Sequence, residues 1–370
     1  MDLWSIPVID QHAHNLLKAE ISAAYPYAAA FTEGHDRDIV NNHARYTLCY
    51  RRSLRDMATL LGCTPNEEII LDKRANLGLE NLTQRCFSQA KLEMILLDDG
   101  FLPGEILPLE WHQKFVSVKR LLRLEMLAEN LLMQADTFET FLASFLQAID
   151  PPPIRVVGFK SIAAYRTGLD IQSVSDEVAK ANFYELKQAK GKFLRLANKP
   201  LIDFLLIQAL EVAAKYQYPI QFHTGFGDPD LDLRKANPLY LRSLLENHHY
   251  RQVKFVLLHA SYPYVREAGY LASVYPQVYV DFGLAVPLLS VSGMRDAVRM
   301  LLELAPTSKL MYSSDAHFIP DLYYLGAKWG REILESVLQQ AVKDSDLTYS
   351  EAQQVAIAVL SENARKLYQL

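Results

Sequence analysis

Two histidines one residue apart, His12 and His14, close the short apolar run that begins at Ile6. On an extended strand residues i and i+2 share a face, so both imidazoles leave its C-terminal end together. Neutral imidazoles at that separation can hold one metal ion. Alone the pair is a weak signal, because two exposed histidines would read the same way. Four more ligand-type residues stand in the same relation to four other apolar runs. Lys160 follows Arg155–Phe159, His223 follows Pro219–Phe222, His259 follows Val253–Leu258, and Asp315 follows Lys309–Tyr312 through Ser313 and Ser314. Four of the ten histidines thus fall at strand ends, where chance would scatter them into helices and turns.

The runs that must carry these residues number eight: Ile6–Asp10, Leu92–Leu97, Ser117–Leu124, Arg155–Phe159, Pro219–Phe222, Val253–Leu258, Val278–Val280 and Lys309–Tyr312. Each is short and rich in Val, Ile, Leu or Phe, the pattern of a strand buried on both faces. Helix-period stretches separate them: Asp176–Leu196, Leu201–Tyr216, Asn237–Glu246, Ser261–Val274, Gly293–Leu304 and Pro320–Gln340. In the last, Leu322, Leu325, Trp329, Ile333 and Val337 form one apolar face suited to packing on a sheet. Alternating strands and helices predict an α/β fold with a parallel sheet, and eight units predict a (β/α)8 TIM-type barrel. An open doubly wound sheet is the second choice, but no G-x-G-x-x-G follows any run and no P-loop is present. In such barrels catalytic side chains stand at the C-terminal ends of the strands, which is where these residues sit.

Spacing and composition complete the outline. About 80 residues separate the first two runs, against roughly 30 for a bare βα unit, which predicts a helical insertion over about 15–90 that caps one barrel end. A second surplus, between Phe159 and Pro219, has room for two helices, so insertions are expected after strands 1 and 4. Thr348-Tyr349-Ser350-Glu351 is a capping-box pattern that starts a terminal helix. No Gly/Ser linker divides the chain, and 1–370 is read as a single domain. Half the residues are apolar, 22% are charged and the net charge is −5, which excludes disorder and makes nucleic acid an unsuitable partner. No apolar run approaches the ~20 residues of a membrane span. Cys49, Cys63 and Cys86 are odd in number and no secretory signal precedes the first run, so a reducing, cytoplasmic setting is expected, with the thiols as buried filler.

This constellation resembles the metal-dependent amidohydrolase superfamily, whose pattern is H-x-H after strand 1, Lys or Glu after strand 4, His after strands 5 and 6, and Asp after strand 8. His12/His14, Lys160, His223, His259 and Asp315 match it residue by residue, across nearly the whole chain. The closing Ser361-Glu362-Asn363-Ala364-Arg365-Lys366-Leu367 resembles the last helix of the amidohydrolase-2 branch. Gly158–Arg166 and Ser313-Ser314-Asp315-Ala316-His317 resemble the amidohydrolase-like half of plant and fungal proteins fused to a glutamine-synthetase-like half.

The resemblance implies a hydrolase cleaving an amide or other C–N bond of a small molecule. A divalent ion, zinc in first place and one or two in number, would be held by His12, His14, His223 and Asp315. Asp315 would also accept the water's proton, and His259 would bind a second ion or steady the oxyanion. Lys160 would either bridge two metals as a carbamate or meet a substrate carboxylate, with the single-metal site preferred. Arg120, Arg123, Tyr165, Arg166 and His317 are candidate substrate contacts, since guanidinium forks match carboxylates. Asp98 and Asp99 read as caps, and His35, His43, His112, His248 and His249 as structural or exposed. Two alternatives remain: a non-oxidative decarboxylase of the same branch, and a non-catalytic barrel-fold binding protein. The chain is compatible with a homo-oligomer.

Overall fold

A computed structural model describes residues 1–188 and 195–370 of the chain. Eight parallel strands follow one another around the sheet in chain order: β1 (Val8–Ala13), β2 (Leu92–Asp98), β3 (Ser117–Arg123), β4 (Val156–Ser161), β5 (Pro219–Phe222), β6 (Lys254–Leu257), β7 (Val278–Asp281) and β8 (Leu310–Met311). The seam between β8 and β1 closes through single backbone bonds. Gln11 N–H donates to Tyr312 O at 3.4 Å, Asp315 N–H to His12 O at 3.0 Å, and His14 N–H to Ala316 O at 2.8 Å. The expected TIM-type barrel is what forms.

The strands are short because each is buried on both faces and must end where polar side chains begin. All six residues of β1 are buried. One face of the strands meets the helices. The other fills the barrel with Ile9, Leu96, Leu121, Val256, Leu258 and Met311.

The insertion between β1 and β2 carries two long helices, α1 (Leu48–Leu61) and α2 (Glu67–Ala90). Thr47 and Asn66 cap their N-termini by accepting from the N–H groups of Tyr50 and Ile69. Gly62, at φ 64°, ends α1 in the left-handed region that glycine tolerates best. These helices lie along the barrel's flank. The cavity is covered instead by the irregular stretch before them, built of short turns at Tyr27–Phe31 and Ile39–His43.

After β4 come α3 (Asp176–Gln188) and α4 (Lys199–Tyr216). The stretch 189–194, which the sequence assigns to a helix running to Leu196, lies outside the described residues. The helix expected from Ser261 starts only at Val265, because His259, Ala260 and Ser261 all have positive φ and Pro263 follows. The stretch expected as one helix over Asn237–Glu246 is a 3₁₀ turn, Pro238–Leu241, leading into a short helix, Arg242–Glu246.

The chain finishes with α5 (Pro320–Lys343), α6 (Tyr349–Ile357) and α7 (Asn363–Tyr368). α2 is pinned to α5 by Arg74 and the fully buried Asp321, 2.9 Å apart. The capping box of Thr348 and Glu351 is present at the start of α6. Leu367 and Tyr368 of α7 pack into the strand-interior cluster and stop the barrel from the end opposite the histidines. No helix among the described residues is long and apolar enough to cross a membrane. Cys49 and Cys86 are buried and Cys63 half-buried, all with free thiols.

Candidate active site

The strand ends bring the ligand-type residues together. His12 Nε2 lies 3.0 Å and His14 Nε2 3.3 Å from the same oxygen, Asp315 Oδ1. The two imidazoles meet edge to face, with centroids 5.0 Å apart. His14 Nδ1 stands 3.0 Å from the carbonyl oxygen of Asp98. A carbonyl only accepts, so Nδ1 carries the proton and the Nε2 lone pair is free. Asp315 is held at φ 55°, an uncommon conformation for this residue, by its N–H bond to His12 O and by the serines before it. Ser314 N–H donates to Asp10 Oδ1 at 2.9 Å, and the Ser313 hydroxyl donates to Asp281.

His259 and His223 form a second pair, Nε2 to Nδ1, at 3.0 Å. His223 Nε2 donates to Phe226 O at 3.0 Å, so its Nδ1 accepts the proton of His259 Nε2. That chain leaves His259 Nδ1 as a buried acceptor without a partner among the described residues. The His259 N–H is fixed by Asp281 Oδ1 at 2.7 Å, which helps to hold three successive left-handed residues, each costing on the order of 1–2 kcal/mol. Lys160 is almost fully buried, with Nζ 3.3 Å from His12 Nε2.

Burial sets the electrostatics. It pushes His12 down to about 4, with the Lys160 cation adding to the shift, and it holds His223 and His259 well below the usual histidine range. All three are therefore neutral at physiological pH and able to ligate. Burial also brings Lys160 down to about 8, against the opposing pull of Asp98 and Asp315. For Asp315 burial works the other way, but His259, His12 and His14 outweigh it and keep the carboxylate ionised. Asp10 and Asp281 are raised to about 7 by burial beneath the site.

This donor set fits a divalent cation. The ligand atoms of His12, His259 and Asp315 lie within 4.8 Å of one another, as do those of His12, His14 and Asp98. Asp315 Oδ1 and His259 Nδ1 are buried with no hydrogen-bond partner among the described residues, a costly state that an ion between them would relieve. Nitrogen ligands with one carboxylate suit zinc-like metals. Asp98 is less available, because Arg123 grips it with Nη2 at 2.6 Å and Nε at 3.0 and 3.1 Å.

His14, His223 and Asp315 line a cavity of about 790 Å³ together with Arg123, Lys160, Tyr165, Arg166 and His317, with His12 and His259 buried beneath them. Arg166 is engaged by Glu129 at 3.0 Å, and Tyr165 packs on His223 with centroids 4.4 Å apart. His317 Nδ1 donates to Asp315 O at 3.0 Å. Arg120 is a correction: it is not among the lining residues and instead pairs with Asp99 at 2.8 Å. Residues three apart on a strand face opposite ways, so Arg120 and Arg123 cannot both point inward. Asp98 is also more than the cap expected of it; it accepts from Gly100 N–H but spends its charge on Arg123. His35, read as structural or exposed, is exposed but sits on the cavity rim, 3.6 Å from Asp228. His112 is a buried tie, accepting from Leu16 N–H at 3.0 Å. Sequence reasoning missed Glu33, Phe101 and Asp228, all in the lining. They lie in loops with no periodicity to mark which side chains turn inward.

Comparisons with known proteins identify relatives of the chain. A family model described as Amidohydrolase matches residues 190–370. Over 98% of its length the chain is 35% identical to Protein fluG of Emericella nidulans, of which it covers 46%. It therefore spans about half the length of that curated relative. A crystal structure described as a "putative metal-dependent hydrolase" from Lactobacillus casei is 31% identical, covers 99% of this chain and 96% of its own, and has a TM-score of 0.87. A uronate isomerase from Bacillus halodurans shares the fold at 16% identity, with 99% and 94% of the chains covered and a TM-score of 0.67.

Proposed function

This chain belongs to the metal-dependent amidohydrolase superfamily, and from that premise we propose that it hydrolyses an amide or other C–N bond of a small, carboxylate-bearing molecule. The family is one of enzymes that use a divalent metal; zinc, as a single ion, is our reading of this site. The observation that carries it is the buried, unpartnered Oδ1 of Asp315 with two imidazole nitrogens at 3.0 and 3.3 Å. In this reading His12, His14, His259 and Asp315 hold the ion, and His223 positions His259 through the 3.0 Å bond between them.

A bound divalent ion supplies Lewis acidity, acidifying water and polarising a carbonyl. The side chains do the rest. Asp315, kept ionised by its histidine neighbours, takes the proton of the attacking water and passes it to the departing nitrogen as the C–O bond forms and the C–N bond breaks. Lys160, an uncarboxylated cation, and the free edge of Arg123 attract the substrate's carboxylate from the floor. Tyr165 and His317 orient the substrate from the walls.

The test is metal-reconstituted protein incubated with a panel of small N-acyl and amide-bearing carboxylic acids, with amine and CO2 both assayed. Amine release that a chelator abolishes and zinc restores is the expected result. Release of CO2 without amine would move the protein to the decarboxylase class, and turnover indifferent to chelation would overturn the metal's role.

A further inference from the structure

The side of the cavity facing the metal-type residues carries an unused carboxyl. Glu33 comes from the irregular stretch of the first insertion and lines the same cavity as Asp315. It is half-buried there, and no hydrogen bond or ion pair engages its carboxyl among the described residues; its charged neighbours are two carboxylates, Asp315 and Asp228. Burial and those neighbours push it up to about 8. Asp228 is tied only lightly, to the Asp230 N–H at 2.9 Å and to the exposed His35 at 3.6 Å.

The cations lining the cavity leave this lobe uncompensated. Arg123 is taken by Asp98, Arg166 by Glu129 and Arg195 by Asp230. Lys160 lies at the floor beside His12. Arg37 lines the cavity from an exposed position.

A second, independent feature lies alongside. Four rings that all line the cavity form an unbroken row, His14 to Phe101 at 5.4 Å, Phe101 to Phe318 at 5.1 Å and Phe318 to Tyr25 at 5.4 Å. Glu33 lines the same cavity as this row, and its charge is felt at the Tyr25 phenol. Aromatic faces and carboxylates in a poorly hydrated pocket are the two elements that bind an organic ammonium, by cation–π attraction and by charge-assisted hydrogen bonds.

We propose that Glu33 and Asp228 form the subsite for a protonated amine on the substrate, with the aromatic row guiding its alkyl or aryl spacer down to the metal-type residues. The inference deepens the hydrolase reading, and rests on it only in calling the ligand a substrate. Entry of an ammonium removes the repulsion between the two carboxylates and draws a proton off Glu33, so binding at neutral pH releases protons to the buffer. The charged and titratable groups facing Glu33 are Asp228, Asp315, Tyr165 and Tyr25.

The experiment is calorimetric titration of metal-loaded protein with 1,4-diaminobutane and, separately, with the uncharged 1,4-butanediol, in two buffers of different ionisation heat. Saturable binding of the diamine with proton release, and none of the diol, is expected. Glu33→Gln and Asp228→Asn, each checked for unchanged metal content and melting temperature, should weaken diamine binding about tenfold or more, the worth of a charge-assisted hydrogen bond. If one variant fails to fold, the other carries the test. Equal binding of diol and diamine, or a diamine affinity untouched in both variants, overturns the proposal. So does uptake of a second zinc equivalent that Glu33→Gln abolishes, with no diamine binding. Because diamine binding is read without turnover, failure of the hydrolase reading leaves this result standing, and the converse also holds.

Discussion

The floor and the cover of one cavity are built by different rules. The floor residues stand at the ends of strands whose backbones are hydrogen-bonded to neighbours on both sides, and His12, Lys160 and His259 are all almost fully buried there. The cover comes from short turns within the first insertion and carries Tyr25 and Glu33. Rigid strand ends hold a charge set in place for chemistry, while a loop can change its side chains without disturbing the barrel. Under the proposed hydrolase reading, bond cleavage belongs to the floor and substrate choice to the cover.

The sharpest way to break that division is at the floor. Asp315→Asn should leave the fold and much of the metal while turnover falls about a hundred- to ten-thousandfold, the range for a lost general base. Steady-state kinetics on any substrate the panel yields would show it, and near-normal turnover would remove Asp315 from its role. His12→Ala acts one step earlier. It should empty the metal site, and the melting temperature of the variant should stop responding to added zinc, whereas the parent gains about 2.7 kcal/mol when metal is at a hundred times its Kd.

Midway between floor and cover stands Gly227. A Cβ there would lie 2.0 Å from Tyr165 Oη and 3.1 Å from His223 Nε2, so Gly227→Ala must swing the tyrosine aside. KM should rise severalfold with metal content unchanged. A fall in metal content instead would show that Tyr165 supports His223 rather than substrate.

In the cover, Glu33→Gln should alter the pH dependence of stability. Glu33 is raised in the folded state from 4.5 to about 8, so the folded protein holds a proton that the unfolded chain releases. Its contribution is fully present below 4.5 and is lost as pH rises towards about 8. The variant's melting temperature should therefore fall less steeply than the parent's across that window; parallel curves would contradict the burial assigned to Glu33. The smallest effect belongs to Arg120→Ala. Its pair with Asp99 is partly exposed and outside the cavity, so stability should change by less than about 1 kcal/mol and kinetics should not move.

The floor was legible in the sequence for a physical reason. A strand buried on both faces leaves an apolar run, and a ligand residue straight after it can only stand at the barrel's mouth, as His223 after Phe222 and His259 after Leu258 do. Strand parity also shows that Arg120 and Arg123 face opposite ways, and the structure turns Arg123 to the cavity. What the sequence does not carry is the hydrogen-bond chain through Phe226 O that fixes the tautomers of His223 and His259, because it depends on loop geometry. Nor does it reveal Glu33 or Asp228, whose segments have neither strand nor helix period. The run Gly158-Phe159-Lys160 announces a strand end, but nothing around Thr32-Glu33-Gly34 announces a cavity wall.

The central claim is that the strand ends hold one divalent ion on His12, His14, His259 and Asp315, with Lys160 left as a free amine. Elemental mass spectrometry of protein reconstituted with zinc and freed of excess metal tests it most directly, alongside the intact mass of the chain. One equivalent per chain and an unmodified mass are the predicted result. Two equivalents with the added mass of a carbamate would contradict the single-ion site, and protein that folds but takes up none would contradict the metal centre itself.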